Sequence, residues 1–427
     1  MFYFQKIKIY FFGWFLLKKL FYVNLFAIFS IFCLLNLKIF ALENENEQNF
    51  EDFEIKKILE TVSSVSNFPD ISSTHIIAID RESKRVLLEK DGFTKAPMAS
   101  TTKILTCIIA LETCDLSEEI TVSSNAASVG GSKLGLKTNS KISMQDLLYG
   151  LMLCSGNDCA IAISEHIAGS VEEFSTIMNN KALELGLKNS NFTSPHGLDD
   201  ENHYTTAYEL ALITDYALNN PTFKNIVSTK QKAVTISGKQ KTISNTNELL
   251  GYYNGVYGVK TGFTFNAGRC LVTSCKQNDL DVITVVLGAD SKRARTIDSV
   301  KVLNYCFTNY SKVDISNIIY EEFDKFENYL SDAITVQKST DKPIVCLGKI
   351  TNTVFPLKSN ELNSISSELF TLNTLSAPTY ANTKIGEITI KIDNDILVST
   401  DILIKNDLSK KTWKQYYKEL LKNFFKV

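Results

Sequence analysis

Two residues three positions apart, Ser100 and Lys103, are the first candidates for chemistry in this 427-residue chain. They stand in the stretch PMASTTKILT, where an apolar helix is predicted to begin with Ser100 as its N-cap. On such a helix Lys103 lies one turn after Ser100, on the same face. A serine hydroxyl needs an adjacent base to attack, and a lysine is a base only when its pKa is lowered. The pair is either a nucleophile with its base or a helix cap followed by a surface lysine.

Two later motifs favour the nucleophile. Ser155 and Asn157 stand in the turn SGN, and Lys260, Thr261 and Gly262 form the run KTG. Ser155 is expected to relay a proton to a leaving amine, and Asn157 to hold the substrate or the lysine base by hydrogen bonds. Lys260 supplies positive charge that lowers the pKa of the base, and with Thr261 it holds a substrate carboxylate. Gly262 keeps the strand edge clear for an extended peptide.

An acyl-transfer reaction also needs donors for the oxyanion that forms during attack. The backbone amides of Ser100 and Phe263 are predicted to supply them. The N-terminus of the predicted helix favours the same negative charge.

The order Ser-x-x-Lys, Ser-x-Asn, Lys-Thr-Gly is the signature of penicillin-binding proteins and serine β-lactamases. Over residues 65–310, four further stretches resemble the D-alanyl-D-alanine carboxypeptidases, which are low-molecular-mass penicillin-binding proteins of the peptidase S11 family. They are SPHGLDDENHYTTAYELALIT, NTNELL, GVKTGFTFNAGRCLVTS and VITVVLGADSKRAR.

The resemblance implies a serine-type carboxypeptidase that forms an acyl-enzyme on Ser100 and removes the terminal D-alanine from peptidoglycan stem pentapeptides. It also implies that β-lactam antibiotics act as acylating inhibitors. Arg295 is similar to the family's arginine near the carboxylate pocket, and Asp199 is similar to part of the loop bordering the site. No metal or cofactor is expected, because the chemistry needs only these side chains.

Three other functions stay open at this point. A serine β-lactamase shares the motifs but needs a glutamate that speeds deacylation, and Glu201 is the only glutamate in the loop HGLDDEN. A penicillin-binding sensor or scaffold that acylates and stops is the non-enzymatic alternative. A transpeptidase differs only in the acceptor of the acyl group.

The pattern of elements predicts an α/β (α+β) domain of the penicillin-binding-protein and serine β-lactamase type, with an antiparallel sheet flanked by helices. A hairpin is expected from THIIAID and RVLLEK, and further strands separated by turns from residues 255–290. Two apolar helices are expected on either side of SGN, and a long polar loop over residues 189–206. Short β-type runs near the C-terminus predict a small all-β domain, followed by an amphipathic helix.

Changes in composition divide the chain into five segments. Residues 1–41 are predicted to be a signal peptide, 42–69 a polar linker, 70–311 the catalytic domain, 312–406 the β-rich domain and 407–427 the amphipathic helix. Basic, apolar and then acidic residues at the N-terminus are the order of an export signal. Aromatic residues and lysines at the C-terminus suit an anionic membrane surface, and packing on the β domain is the alternative. The predicted location is the extracytoplasmic face of the cell membrane.

The net charge, the cysteines and the histidines argue against several other kinds of partner or chemistry. A formal net charge of −2 provides no global basic field, so no nucleic-acid partner is expected. Most of the nine cysteines lie in apolar runs, and they are predicted to be free, buried side chains. His166, His196 and His203 are assigned only local hydrogen bonds, because Lys103 already provides a base.

Overall fold

The computed structural model describes residues 52–62 and 67–425. The helices in chain order are α1 (Asp52–Thr61), α2 (Lys103–Thr113), α3 (Ser124–Ser128), α4 (Met144–Leu153), α5 (Asn157–Ala168), α6 (Val171–Glu184), α7 (Ala207–Leu218), α8 (Pro221–Ser228), α9 (Lys292–Asn309), α10 (Ser316–Ala333) and α11 (Trp413–Phe424). The strands are β1 (His75–Asp80), β2 (Val86–Lys90), β3 (Glu119–Thr121), β4 (Lys141–Ser143), β5 (Gln231–Ile236), β6 (Lys239–Ser244), β7 (Val256–Thr264), β8 (Gly268–Gln277), β9 (Leu280–Ala289), β10 (Ser311–Asp314), β11 (Thr335–Gln337), β12 (Val345–Leu347), β13 (Val354–Leu357), β14 (Ile365–Thr371), β15 (Thr374–Ser376), β16 (Lys384–Ile392) and β17 (Asp395–Ile404).

The predicted signal peptide lies outside the described residues. Helix α1 falls within residues 42–69, the stretch predicted to be a polar linker. Its apolar residues Ile55 and Ile58 are three apart and buried, which is the helical spacing that the acidic composition of the segment obscured.

A five-stranded antiparallel sheet of order β2-β1-β9-β8-β7 lies at the centre of residues 75–309. Side chains alternate between its faces, so Ile77 and Ile79 of β1 join one core with α2, α4, α5 and α7. Ile76 and Ala78 join a second core with α9. The predicted antiparallel sheet between helices is therefore confirmed. Strand β7 lies at the edge of this sheet, so one of its sides remains available to other groups.

The helices around SGN and the polar loop also form as predicted. Helix α4 ends at Leu153 and α5 begins at Asn157, with the SGN turn between them. Helix α6 ends before Gly186, whose φ of 76° suits a glycine. The loop over residues 189–206 then leads into α7.

The C-terminal region is β-rich as predicted, but it also contains a helix. Strands β12, β17, β16 and β14 form a four-stranded antiparallel sheet, and its core is filled by isoleucines such as Ile390 and Ile402. Helix α10, 18 residues long, buries Ile319 and Phe326 in the same core. Its apolar residues are spaced by three and four, so this helix was within reach of a pattern analysis. The predicted boundary between residues 311 and 312 falls inside β10.

The predicted amphipathic helix at the C-terminus is α11. Thr412 and Gln415 close a capping box at its start. None of its residues is buried, and its large apolar side chains are all exposed. Among the described residues, no helix has the length and apolar content needed to cross a membrane.

Candidate active site

Ser100 lies in a tight 3-10 turn, Ala99–Thr102, and not at the N-cap of the following helix. Helix α2 begins at Lys103, and neither Met98 before the turn nor Thr102 before the helix forms a side-chain cap bond. The prediction that Ser100 is an N-cap is therefore wrong. The hydroxyl of Thr101 donates to the Met98 carbonyl at 2.6 Å, which holds the turn and leaves the Ser100 side chain half-exposed.

Gly262 brings the edge strand β7 against this turn. A Cβ at residue 262 would lie 3.1 Å from the Ala99 Cβ and 3.1 Å from the Ser100 backbone nitrogen. Contacts of that length are tighter than most real Cβ contacts, so any side chain would push the strand and the turn apart. Glycine at residue 262 therefore allows the KTG run to approach the serine turn closely without displacing either segment.

The side chain of Lys103 is buried and has three hydrogen-bond partners. Its Nζ lies 2.8 Å from Ser100 Oγ, 2.8 Å from Asn157 Oδ1 and 2.8 Å from the His196 carbonyl oxygen. Asn157 Nδ2 donates to the Gly130 carbonyl at 2.7 Å, which turns its amide oxygen towards Lys103. The structure thus brings Ser100, Lys103 and Asn157 together around one amine.

The environment of Lys103 disfavours its charged form. Complete burial lowers its pKa well below the ordinary value, and the positive charge of Lys260 lowers it further. A neutral amine has two N–H groups and one lone pair. Asn157 Oδ1 and the His196 carbonyl can only accept, so they take the two N–H groups. In this neutral form the lone pair faces the remaining partner, the Ser100 hydroxyl, whereas a charged Lys103 donates to that hydroxyl.

Lys260 and Thr261 form the second part of the site, on β7. Burial lowers the pKa of Lys260 to about 7, and the charge of Arg295 contributes in the same direction. Lys260 Nζ donates to the Thr261 carbonyl at 2.9 Å. The Thr261 hydroxyl lies 2.6 Å from the hydroxyl of Thr246, which fixes its position at the edge of the sheet.

Ser155 lies in the turn between α4 and α5, two residues before Asn157. Its φ is 60° and the residue is buried. Within the described part of the chain, its hydroxyl forms no hydrogen bond to Ser100 or Lys103. Ser155 is therefore close to the site in sequence and fold but is not joined to the Ser100–Lys103 pair.

Arg295 is not a free charge at the carboxylate pocket. It is buried near the start of α9, and its guanidinium is paired with the buried carboxylate of Glu248. The Thr296 hydroxyl donates to the same carboxylate. Among the described residues, Arg295 forms no hydrogen bond to Lys260 or Thr261, so its effect on the site is through charge.

Phe263 and Asp199 lie at the opposite end of the KTG run. The ring of Phe263 is 44% exposed and meets the ring of Phe265 edge-on at 5.8 Å. The carboxylate of Asp199 accepts from the Asn266 backbone amide at 3.3 Å. Asp199, Asn266 and Ala99 line a cavity of about 270 Å³ beside the serine turn, so Asp199 borders the site without contacting its lysines.

The model of the D-alanyl-D-alanine carboxypeptidase family, peptidase S11, matches residues 61–291, which is more than half of the chain. The chain belongs to this family. The D-alanyl-D-alanine carboxypeptidase DacF of Bacillus subtilis is 31% identical over 340 residues, covering 78% of this chain and 85% of the relative. The carboxypeptidase DacC of Escherichia coli is 35% identical over 257 residues, covering 57% of this chain and 64% of the relative.

Solved structures agree with this assignment. Penicillin-binding protein 5 from Haemophilus influenzae superposes with a TM-score of 0.66 at 26% identity, over 81% of this chain and 99% of that one. The Streptomyces K15 DD-transpeptidase superposes with a TM-score of 0.55 at 32% identity, over 57% of this chain and 99% of that one. The predicted D-alanyl-D-alanine carboxypeptidase family and its fold are confirmed, and so is a function in peptidoglycan metabolism.

Three groups at the candidate site were not predicted from the sequence. The His196 carbonyl bonds Lys103, Thr246 bonds Thr261, and Glu248 neutralises Arg295. All three stand in stretches that carried the family resemblance. The stretch SPHG contains His196, and NTNELL contains the other two. The family resemblance therefore indicated these segments but did not predict which hydrogen bonds and ion pairs they form.

Proposed function

We propose that the chain is a serine-type D-alanyl-D-alanine carboxypeptidase that acts through an acyl-enzyme on Ser100. The substrate is the peptidoglycan stem pentapeptide, from which the terminal D-alanine is released. The observation that carries the proposal is the buried Lys103 amine, whose two acceptor partners leave its lone pair for the Ser100 hydroxyl.

In the acylation step Ser100 Oγ attacks the carbonyl carbon of the penultimate D-alanine. Its proton passes to Lys103 Nζ, and the carbonyl oxygen becomes an oxyanion bonded by the backbone amides of Ser100 and Phe263. When the amide bond breaks, the leaving amine takes the proton from Lys103 through Ser155. That relay needs the Ser155 hydroxyl to approach Lys103 once substrate is present.

In the second step, water hydrolyses the ester on Ser100 with Lys103 again as base, and the shortened peptide leaves. Lys260 and Thr261 hold the terminal carboxylate during acylation. The pKa of Lys260 is about 7 in the free site, and a bound carboxylate favours its charged form. β-Lactam antibiotics acylate Ser100 in the same way, and their leaving group stays attached when the ring opens.

Release of D-alanine from diacetyl-L-Lys-D-Ala-D-Ala is the direct test of this function. The wild-type protein is expected to release D-alanine, Ser100→Ala is expected to lose the activity, and Ser117→Ala, at an exposed serine, is the matched control. Undiminished release by Ser100→Ala would refute the proposal. Rapid turnover of a chromogenic penicillin without D-alanine release would instead indicate a β-lactamase. A stable adduct with no product would indicate a sensor, and transfer to an added amine would indicate a transpeptidase.

We also propose that the protein is exported and that α11 binds the extracytoplasmic face of the membrane. The basic and apolar N-terminal residues support export. On α11 the exposed Trp413, Tyr417, Leu420 and Phe424 share one face, and lysines lie beside it.

The membrane proposal can be tested without damage to the C-terminal sheet. Deletion of residues 413–427 keeps the Leu408–Thr379 bridge and the Lys411–Lys338 backbone bond. The truncated protein is expected to lose binding to anionic phospholipid vesicles and to keep its activity on soluble peptide. Equal vesicle binding by the truncated and full chains would contradict the proposal.

A further inference from the structure

His203 is a buried histidine that the proposed reaction does not use. It lies on the loop before α7, with 3% of its surface exposed. The backbone amide of Thr193 donates to its Nδ1 at 3.0 Å, and its Nε2 lies 2.8 Å from Thr102 Oγ1. Because a nitrogen that accepts carries no proton, the proton of the neutral ring is on Nε2. His203 therefore donates to the Thr102 hydroxyl.

The Thr102 hydroxyl passes this interaction on to the serine turn. Having accepted from His203, it donates its single hydrogen to the Ala99 carbonyl oxygen at 2.8 Å. The resulting chain of hydrogen bonds runs in one direction, from the loop through His203 and Thr102 to Ala99. Bonds arranged in this way polarise and strengthen one another.

The Ala99 carbonyl and the Ser100 amide belong to the same planar peptide group. A bond that fixes the Ala99 oxygen therefore fixes the direction of the Ser100 N–H, which points the opposite way. The turn needs such support, because Ala99 has a φ of 49°, in the left-handed region that alanine disfavours.

Close packing holds the same peptide group from two sides. A Cβ at Gly197, whose φ is 81°, would lie 1.9 Å from the Ala99 oxygen, so the loop carrying His203 packs directly on it. On the other side, the Cβ of Ala99 meets Gly262 of β7. The peptide is thus clamped between the loop and the edge strand.

We propose that His203 is a positioning residue for the oxyanion hole, acting through Thr102 to aim the Ser100 amide at the oxyanion. The inference rests on the proposed acylation of Ser100. It assigns to this histidine a role in the acylation rate and not in the initial binding of the ligand.

The neutral ring is the form that this role needs. Burial lowers the pKa of His203 to about 4, and the charge of Asp200 acts in the opposite direction. A protonated ring would present an N–H to the Thr193 amide, and two donors would face each other. Above about pH 5 the ring therefore stays in the form that accepts from Thr193 and donates to Thr102.

The experiment compares two substitutions of His203 that separate its two bonds. His203→Asn keeps an acceptor at the Nδ1 position for Thr193 but cannot reach Thr102. His203→Gln places an N–H at the Nε2 position and can reach it. His166→Asn is the matched control, because the ring of His166 is paired with Glu118 and not with Thr102. Acylation by a fluorescent penicillin is followed to give a dissociation constant and a first-order rate constant for each variant.

We expect His203→Asn to lower the first-order rate constant by roughly 10- to 100-fold, less than the loss of an oxyanion donor itself. The dissociation constant should change less than about threefold. His203→Gln should recover most of the rate, and His166→Asn should behave as wild type.

Substitutions at Thr102 provide a second, independent pair of variants. Thr102→Val removes the hydroxyl at nearly constant volume, and Thr102→Ser keeps it. The valine variant should lose rate in the same way, and the serine variant should not. If a His203 variant lacks a thermal unfolding transition and therefore does not fold, the two Thr102 variants test the proposal instead.

Equal rates for the asparagine and glutamine variants would overturn the proposal, and so would a Thr102→Val protein that acylates like wild type. A change confined to the dissociation constant would overturn it as well. Failure of the wild-type protein to be acylated at Ser100 in the same assay would instead refute the proposed function.

Discussion

Lys103 Nζ lies 2.8 Å from Ser100 Oγ, and both of its other hydrogen-bond partners are oxygens that can only accept. This arrangement explains how Lys103 can accept a proton from Ser100. Burial and the charge of Lys260 lower the pKa of Lys103, and the acceptors orient the neutral amine. The free lone pair is then directed at the hydroxyl to be deprotonated.

Replacement of the proposed base, Lys103, by a permanently charged side chain should slow acylation strongly. Lys103→Arg keeps a positive group near Ser100, but a guanidinium stays protonated in proteins and cannot take the proton. The rate of acylation by a fluorescent penicillin is expected to fall by about 10²- to 10⁴-fold, the usual contribution of a general base. Lys239→Arg, at an exposed lysine on β6, is the control and should show no change. An arginine variant with wild-type kinetics would remove Lys103 from the mechanism.

The Asn157 amide accepts from Lys103 without adding a negative charge, so it does not raise the pKa of that lysine. In Asn157→Asp a carboxylate replaces the oxygen 2.8 Å from Lys103 Nζ and favours the ammonium. An opposite charge at this range raises a lysine pKa by about 1–3 units. The acid limb of the acylation pH profile should therefore move to higher pH.

Asn157→Ala provides the comparison, because it removes the acceptor without adding charge. That variant is expected to lose rate while its acid limb does not move upward. Identical pH profiles for the aspartate and alanine variants would show that the charge on Lys103 does not control the reaction.

The charge of Lys260 should also appear in the pH profile. This charge lowers the pKa of Lys103, so its removal in Lys260→Met raises that pKa. The acid limb of acylation then moves to higher pH, and ligands with a carboxylate bind more weakly. Lys260→Arg keeps the charge and should keep the limb near its wild-type position. A limb unaffected in Lys260→Met would contradict the coupling of the two lysines.

The buried Glu248–Arg295 pair predicts an effect on stability. Glu248→Gln leaves a buried guanidinium without its counter-charge, which typically costs about 3–5 kcal/mol of unfolding free energy. Replacing both residues by methionine should cost less than the single change, because no buried charge remains. Chemical denaturation measures both.

An exposed pair gives the control for this stability measurement. Glu322→Gln removes the partner of Lys325 on α10 and should change the unfolding free energy by no more than about 1 kcal/mol. Equal losses of unfolding free energy for Glu248→Gln and Glu322→Gln would show that the buried ion pair does not stabilise the fold.

The parts of the site that could be predicted are those encoded by short motifs. Ser100 and Lys103 are three residues apart, so local backbone geometry alone brings them together. The sheet and most helices followed from apolar periodicity, and α10 was missed although its pattern is present. Ser100 was misplaced as an N-cap because a 3-10 turn and the first turn of a helix have similar sequences.

The parts that could not be predicted depend on contacts between distant segments. The His196 carbonyl reaches Lys103 across 93 positions of sequence, and no side-chain pattern records a backbone contact. The complete burial of Lys103, which sets its pKa, is also a product of the whole fold. Arg295 was expected near the carboxylate pocket, and only the packing of α9 shows that its guanidinium is paired with Glu248.

Peptide mapping after reaction with benzylpenicillin identifies the residue that is acylated, which we expect to be Ser100. Trypsin releases residues 96–103, APMASTTK, in which Ser100, Thr101 and Thr102 are the only hydroxyl groups. Tandem mass spectrometry should locate one penicilloyl group on Ser100 in the wild-type protein and none in Ser100→Ala. An adduct on another residue, or one that persists in Ser100→Ala, would contradict the account.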